Sequence, residues 1–342
     1  MIRLLNQVGR GTDHFIQRLG TVEFKARATP GNISSHDWIH GLRVLVPWQS
    51  LVDSMQIPGV EPVLWNINDG EPPAADVLVT ERPLDPSHRM RVGRIAGLKH
   101  VHLLSIGYEW VLDHLPEDVA LSNSKGAVED STAEHCLALI LASLRELPRA
   151  YQLQTEESWS RLWTSSLHGS NVVVLGVGGV GTAIIERLKP FKPAQITGVA
   201  STARTINGGI DVVSIENVHQ LLPSAEIVIC ALPHTPQTQG LIGKEFMDRM
   251  RDGALLVNVG RGPIIATAAL IKELETGRLR AALDVTDPEP LPVGHALWNA
   301  PGCIITPHMA GDTGQFVELV SELATRQVQL LSSGQTPLNL VR

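Results

Sequence analysis

The sequence predicts an α/β protein made of two doubly wound parallel-sheet units, and three features predict it. The first is Val172-Val173-Val174-Leu175-Gly176-Val177-Gly178-Gly179-Val180-Gly181, an apolar strand-forming run that empties into glycines spaced G-x-G-x-x-G. A helical pattern over 182–189 and a strand-like run over 195–200 follow, the context that gives such a hinge its meaning. The second is the alternation of strand-like and helix-like runs from Leu42 onward, which indicates a parallel sheet with helices on its faces. The third is a further series of buried-type strands after the hinge, enough to complete a second sheet. With 342 residues the chain can bury two cores.

Composition narrows the classes. A content of 43% hydrophobic and 18% charged residues is that of a globular protein. The net charge of −7 argues against non-specific nucleic-acid binding and against a polybasic membrane patch. No apolar run reaches the roughly 20 residues that a spanning helix needs. The cysteines, Cys136, Cys230 and Cys303, are scattered and odd in number. They lack metal-ligand spacing and point to a reducing compartment, so no metal is expected and a cytoplasmic location is. Residues 1–41 fit the rest poorly and read as an N-terminal extension. Their basic, weakly amphipathic character leaves an organelle transit peptide open as the alternative.

From Leu42 the order is regular. Strands are expected at 42–46, 63–67, 77–80 and 101–104, with a short helix over 49–55 and a helix-like stretch over 90–96. The strand ending at Leu104 runs into Ser105-Ile106-Gly107, a turn able to offer backbone donors to a small anion, or an ordinary turn. A short strand over 119–123 precedes a long helix, N-capped by Asp130 or Ser131 and running to Pro148, that bridges into the second unit. His135 on that helix reads as a packed or surface histidine. This first unit has no phosphate loop, which makes it the candidate substrate unit.

At the hinge, Gly176 allows the tight turn, Gly178 lets a pyrophosphate approach the backbone, and Gly181 lets the helix pack on the strand. Free N–H groups of Gly179 and Val180 add to the positive helix end, which holds an anion without a cationic side chain. The second strand ends in Ala200-Ser201-Thr202-Ala203-Arg204, with no acidic residue for a ribose 2′-hydroxyl. Hydroxyls and a guanidinium suit a 2′-phosphate, so NADP is favoured over NAD, unless Arg204 is a solvated loop charge. Further strands are expected over 226–233, 254–259, 281–285 and 304–306, and a helix over 315–331 crosses back to the first unit, ahead of a short tail.

Arg261, Glu289 and His308 each lie beyond the carboxyl end of an expected strand. Singly they read as a surface arginine, a solvated carboxylate and a strand-capping histidine. Together they suit the interconversion of a 2-oxo acid and a 2-hydroxy acid. Arg261 can bind the carboxylate bidentately, His308 titrates in the useful range, and Glu289 favours its imidazolium form.

On these residues the chain resembles the D-isomer-specific 2-hydroxyacid dehydrogenases. The resemblance runs from about residue 42 to the C-terminus. It is carried by the hinge, Leu232-Pro233-His234-Thr235-Pro236-Gln237-Thr238, Asn258-Val259-Gly260-Arg261-Gly262, Ala282-Leu283-Asp284-Val285, Pro288-Glu289-Pro290-Leu291 and Thr306-Pro307-His308-Met309-Ala310-Gly311. The glyoxylate/hydroxypyruvate reductase and phosphoglycerate dehydrogenase-like branches are the most similar. The resemblance implies two Rossmann-like domains with the active site in the cleft between them. It implies a discontinuous substrate domain of residues 42–127 and 312–342, and a cofactor domain of 128–311. Arg261 is expected to bind substrate with the backbone of Ser105, Ile106 and Gly107. His308 is expected to be the acid/base and Glu289 its orienting carboxylate. Leu232, Pro233, Thr238, Val259, Gly260 and Gly311 are expected beside the cofactor. Asp284, with the Val259 carbonyl, is expected to hold the nicotinamide amide. A small 2-oxo or 2-hydroxy acid is the expected substrate and a homodimer the expected assembly. A dinucleotide-sensing corepressor-like protein is the alternative. Departures are His234, Asp312, and Tyr108-Glu109-Trp110 where the family often has Val-Asp; Trp298 either walls the pocket or packs elsewhere.

Overall fold

The computed structural model describes residues 41–342 apart from Asn207, so the expected N-terminal extension lies, but for Gly41, outside the described residues. The first sheet holds β1 (Leu42–Val46), β2 (Val60–Leu64), β3 (Val77–Thr80), β4 (His100–Leu103) and β5 (Ala120–Asn123), in the order β2-β1-β3-β4-β5. All its pairings are parallel. The second holds β6 (Asn171–Leu175), β7 (Gln195–Ala200), β8 (Arg204–Ile206), β9 (Ile210–Ser214), β10 (Ile227–Cys230), β11 (Leu255–Asn258), β12 (Arg280–Leu283) and β13 (Cys303–Ile305). Its order is β13-β12-β11-β10-β6-β7-β9-β8, parallel except for the β8–β9 hairpin. In each sheet the order reverses at the first strand, which opens a crevice beyond the strand ends.

The burial follows strand alternation. Val172 and Val174 of β6 face one core, and Val173 and Leu175 face the other. The first core is closed by α2 (Glu129–Leu144) and α4 (Gly179–Leu188), the second by α5 (Lys244–Arg249) and α6 (Thr267–Glu275). Buried on both faces, such strands read as continuous apolar runs. Helix α1 (Gln49–Ser54) contributes Leu51 to the first sheet's core. Helix α7 (Phe316–Ser332) sets Val320, Leu323, Ala324, Val328 and Leu331 against Leu42, Val44 and Val46 of that sheet, one apolar stripe at helical spacing.

Several expectations are corrected. The second strand lies at Val60–Leu64 and not at 63–67, because as an edge strand it tolerates Pro62, while Trp65 and Ile67 are buried from coil. The bridging helix stops at Leu144. Glu146 turns left-handed (φ 52°) and Pro148 sits in the first turn of a separate helix, α3 (Leu147–Thr155). Neither Asp130 nor Ser131 caps α2. No side chain caps it; the carboxylate of Glu129 instead ties the turn before the helix, accepting from Gly126 N at 2.7 Å and Val128 N at 3.2 Å. Arg204 lies at the start of β8 and not in a loop. The C-terminal tail pairs antiparallel with β5, Val341 N donating to Leu121 O at 2.8 Å.

Candidate active site

The hinge follows β6. Gly176 has φ 91°, and a Cβ there would meet the Ala231 carbonyl at 2.7 Å. A Cβ on Gly181 would collide with the Gly176 carbonyl. Around Gly178 nothing lies within 4 Å of a Cβ position, and no side chain caps α4. The first N–H groups of a helix have no partner within it. Gly179 and Val180 therefore present donors beside an open glycine, a cradle fitted to an anion. Glu129 is the neighbour that the sequence did not reveal: its carboxylate is 2.6 Å from a Cβ position on Gly179.

Half-buried Ala200 and the exposed Ser201, Thr202 and Arg204 form one rim at the carboxyl end of β7. Arg204 Nη1 donates to Thr202 O at 3.2 Å, and Arg204 has no ion pair among the described residues. Across the crevice, Leu232 packs its backbone against Gly260, where a Cβ would meet the Leu232 carbonyl at 2.7 Å. Thr238 braces this loop, its hydroxyl donating to Pro233 O at 2.7 Å and accepting from Thr235 N at 2.8 Å. His234 contacts Gln239 of the same loop. Gly311 has ordinary room, 3.7 Å to Val128.

Asn258 shapes the arginine loop: its amide donates to Arg261 O at 3.0 Å and its Oδ1 accepts from Gly260 N at 3.0 Å. Arg261 Nη1 donates to Gly260 O at 2.7 Å, and Nη2 lies so close to Gly107 that any side chain there would collide with it. The carbonyls of Ser105, Ile106 and Gly107 accept from Ser124 N, Asn123 Nδ2 and Ser105 Oγ. The N–H groups of Ile106 and Gly107 have no partner among the described residues. Two donors thus stand beside the guanidinium, contributed by the other sheet.

Asp284 is 2% exposed and organises the loop that carries His308. Its carboxylate accepts from Thr306 Oγ1 at 2.7 Å, Met309 N at 3.0 Å and Ala310 N at 3.1 Å, while its carbonyl accepts from His308 N at 2.8 Å. His135 Nε2 reaches Thr306 Oγ1 at 2.9 Å. Since the Thr306 proton goes to the carboxylate, Nε2 of His135 must be the donor. Burial opposes charge on Asp284, but the hydrogen bonds from His135, Thr306, Met309 and Ala310 outweigh it and hold its carboxyl below the ordinary value. His135 is therefore a support of the site, and only its place in space shows it.

His308 has φ 52°, and its Nδ1 meets Glu289 Oε1 at 2.7 Å. With Nδ1 on a carboxylate, Nε2 is left without a partner among the described residues. Burial works against the charge of Glu289, yet the His308 hydrogen bond and the charges of His308, Arg82 and Arg261 prevail and hold its carboxyl low. Two charged neighbours come from the first sheet and were not foreseen: Glu109, 3.4 Å from Arg261 Nε, and Arg82, 3.4 Å from Glu289 Oε1. Among the described residues no cluster of His, Cys, Asp and Glu could hold a metal. Trp298 donates to Pro292 O at 2.9 Å and is half exposed.

Residues 137–310 match the family model for the D-isomer specific 2-hydroxyacid dehydrogenase NAD binding domain. The mouse (Mus musculus) glyoxylate reductase/hydroxypyruvate reductase is 31% identical over 245 residues, which span 68% of this chain and 74% of that protein. The glyoxylate/hydroxypyruvate reductase A of Serratia proteamaculans is 28% identical over 326 residues, 90% of this chain and 95% of that one. A crystal structure of a D-isomer specific 2-hydroxyacid dehydrogenase from Xanthobacter autotrophicus Py2, in complex with NADPH and MES, has 27% identity and a TM-score of 0.75, covering 89% and 98% of the two chains. With these matches, the two parallel sheets and the glycine hinge, the chain belongs to the D-isomer-specific 2-hydroxyacid dehydrogenases, NAD(P)-dependent enzymes.

Proposed function

We propose that the enzyme is an NADPH-preferring reductase of small 2-oxo acids of the glyoxylate or hydroxypyruvate kind. The observation that carries this is the His308–Glu289 contact of 2.7 Å, with Nε2 unpartnered, in a cleft where Arg261 abuts Gly107. The open Gly178 and uncapped helix fit a pyrophosphate, and Ser201, Thr202 and Arg204 fit a 2′-phosphate. The Val259 carbonyl has no donor among the described residues, and Asp284 Oδ2 keeps one lone pair, so both suit a carboxamide. When bound, the dinucleotide would supply the hydride.

The chain's own residues do the rest. Arg261 and the amides of Ile106 and Gly107 bind the substrate carboxylate and orient C2. His308 gives its Nε2 proton to the oxygen on C2, while Glu289 keeps the ring turned and stabilises its charged form. Residues 42–127 and 312–342 act as the substrate domain and 128–311 as the cofactor domain. We also place the enzyme in the cytoplasm as a homodimer. Trp159 (100% exposed) and Trp163 (93%) beyond α3 offer the apolar surface for a second copy. Sedimentation of a Trp159→Ser, Trp163→Ser variant as a monomer would support that assembly, and an unchanged dimer would count against this surface.

Initial rates of NADPH and NADH oxidation with glyoxylate, hydroxypyruvate, pyruvate and a bulkier 2-oxo acid test the reaction. Turnover is expected with the small acids, faster with NADPH, and lost in His308→Ala. Tight NADPH binding without turnover on any of them would overturn the reductase reading in favour of a dinucleotide sensor.

A further inference from the structure

Glu289 Oε1 is shared. It holds His308 Nδ1 at 2.7 Å and faces Arg82 Nη1 at 3.4 Å. His308 and Glu289 belong to loops after strands of the second sheet, whereas Arg82 stands just beyond β3 in the first. Arg82 is partly exposed, and Glu289 is its one polar partner among the described residues. A guanidinium spending its only ion pair across the cleft, on the oxygen that governs the histidine, is poorly explained as a brace of its own loop.

We propose that Arg82 is a positioning residue for the proton-transfer pair: by drawing on the Glu289 oxygen that holds His308, it loosens the proton of His308 when the two units meet. The inference rests on the proton-donor role of His308 proposed above. A carboxylate favours imidazolium beside it, and a cation on the same oxygen withdraws part of that support and adds its own repulsion. The proton then leaves more readily toward the substrate oxygen. Two of the other charged groups around the pair have partners of their own. Arg261 is paired with Glu109. Asp284, behind the His308 backbone, is held by Thr306, Met309, Ala310 and His135. Asp312 follows on the His308 loop and is exposed. Arg82 is thus the cation whose approach depends on how the first unit sits over the second.

The test uses the full-length protein with Arg82→Met and Arg82→Lys. The proton of His308 is followed by NMR titration of its ring, identified by its loss in His308→Asn, and kcat/KM for glyoxylate is measured across the same pH range. Removing the charge is expected to raise the His308 midpoint by about half a pH unit, a roughly threefold tighter hold on the proton. The basic limb of the rate profile should move with it, and lysine should restore most of the wild-type behaviour. An unmoved midpoint with a tenfold higher KM would overturn the proposal and make Arg82 a substrate ligand. An unmoved midpoint with unchanged KM would reduce the contact to a surface ion pair. A wild type that turns over no 2-oxo acid defeats the reductase reading, while the NMR titration still decides the role of Arg82.

Discussion

The nitrogens of Arg261 face three different surroundings: Nη1 the Gly260 carbonyl, Nε the Glu109 carboxylate at 3.4 Å, and Nη2 the α-carbon of Gly107. Glu109 both steadies the guanidinium and offsets its charge. For a partly exposed pair the electrostatic contribution is roughly 0.5–1 kcal/mol. Glu109→Gln should therefore tighten an anion at this site by about two- to fivefold, read as a lower KM for glyoxylate and a lower inhibition constant for oxalate. A raised KM would show that orientation outweighs charge here. Arg261, Glu289 and His308 were legible because each sits in a linear motif at the end of a strand. Glu109, Arg82 and His135 were not: they belong to the site only through the approach of other elements, and their local sequence reads as loop charge or helix surface. The hydroxyl of Thr238, expected beside the cofactor, is engaged within its own loop, a role its motif did not announce.

Among the elements, the hinge was the most readable, since the positive φ of Gly176 and the contact of Gly181 with the Gly176 carbonyl are demands made within the motif itself. A paired substitution separates those demands. Gly181→Ala places a methyl on the Gly176 carbonyl and should lower stability by about 2–3 kcal/mol, measured from urea unfolding. Gly178→Ala meets open space and should leave the unfolding midpoint near wild type while weakening dinucleotide binding. Equal destabilisation by both would contradict this division of labour. The β8–β9 hairpin was missed although Asn207-Gly208-Gly209 is a turn signal, because its strands are short and partly exposed.

Strand β4 hid a different feature. His100 and His102 are fully buried, both against Ser122 Oγ at 2.8 and 2.9 Å. Burial lowers their pKa values from 6.5 to about 4 and about 3. Below pH 6.5 the unfolded chain takes up protons that the folded chain refuses, so stability is full above that pH. It falls as pH drops toward 4 and 3, by about 1.4 kcal/mol per pH unit for each ring. Urea midpoints at pH 7 and pH 5 should show this loss, and His102→Gln should shrink it. A wild-type midpoint that does not move would contradict the buried neutral pair.

At the scale of the whole molecule, the two parallel sheets were foreseeable because their strands are buried on both faces and so announce themselves as apolar runs. The mutual approach of their loops was not, since it depends on where the chain crosses. Ala127 and Val128 pack with the first sheet and Ala133 onward with the second, and the return passes Gly311, where an added Cβ would lie 3.7 Å from Val128. The two passages run side by side. We expect any relative motion to be a swing about that one line, like a door on a single jamb, with Arg82 and Glu289 at the latch side. Hydrogen exchange with and without NADPH should then change at residues 126–132 and 309–313 and at the loops around Arg82 and Glu289, leaving the strands unaltered. Changes spread through both sheets would contradict a single pivot. A latch built from two partly exposed ion pairs, Arg82–Glu289 and Glu109–Arg261, also has a direct consequence for handling: concentrated salt, which screens such pairs, should leave the door ajar without unfolding either leaf.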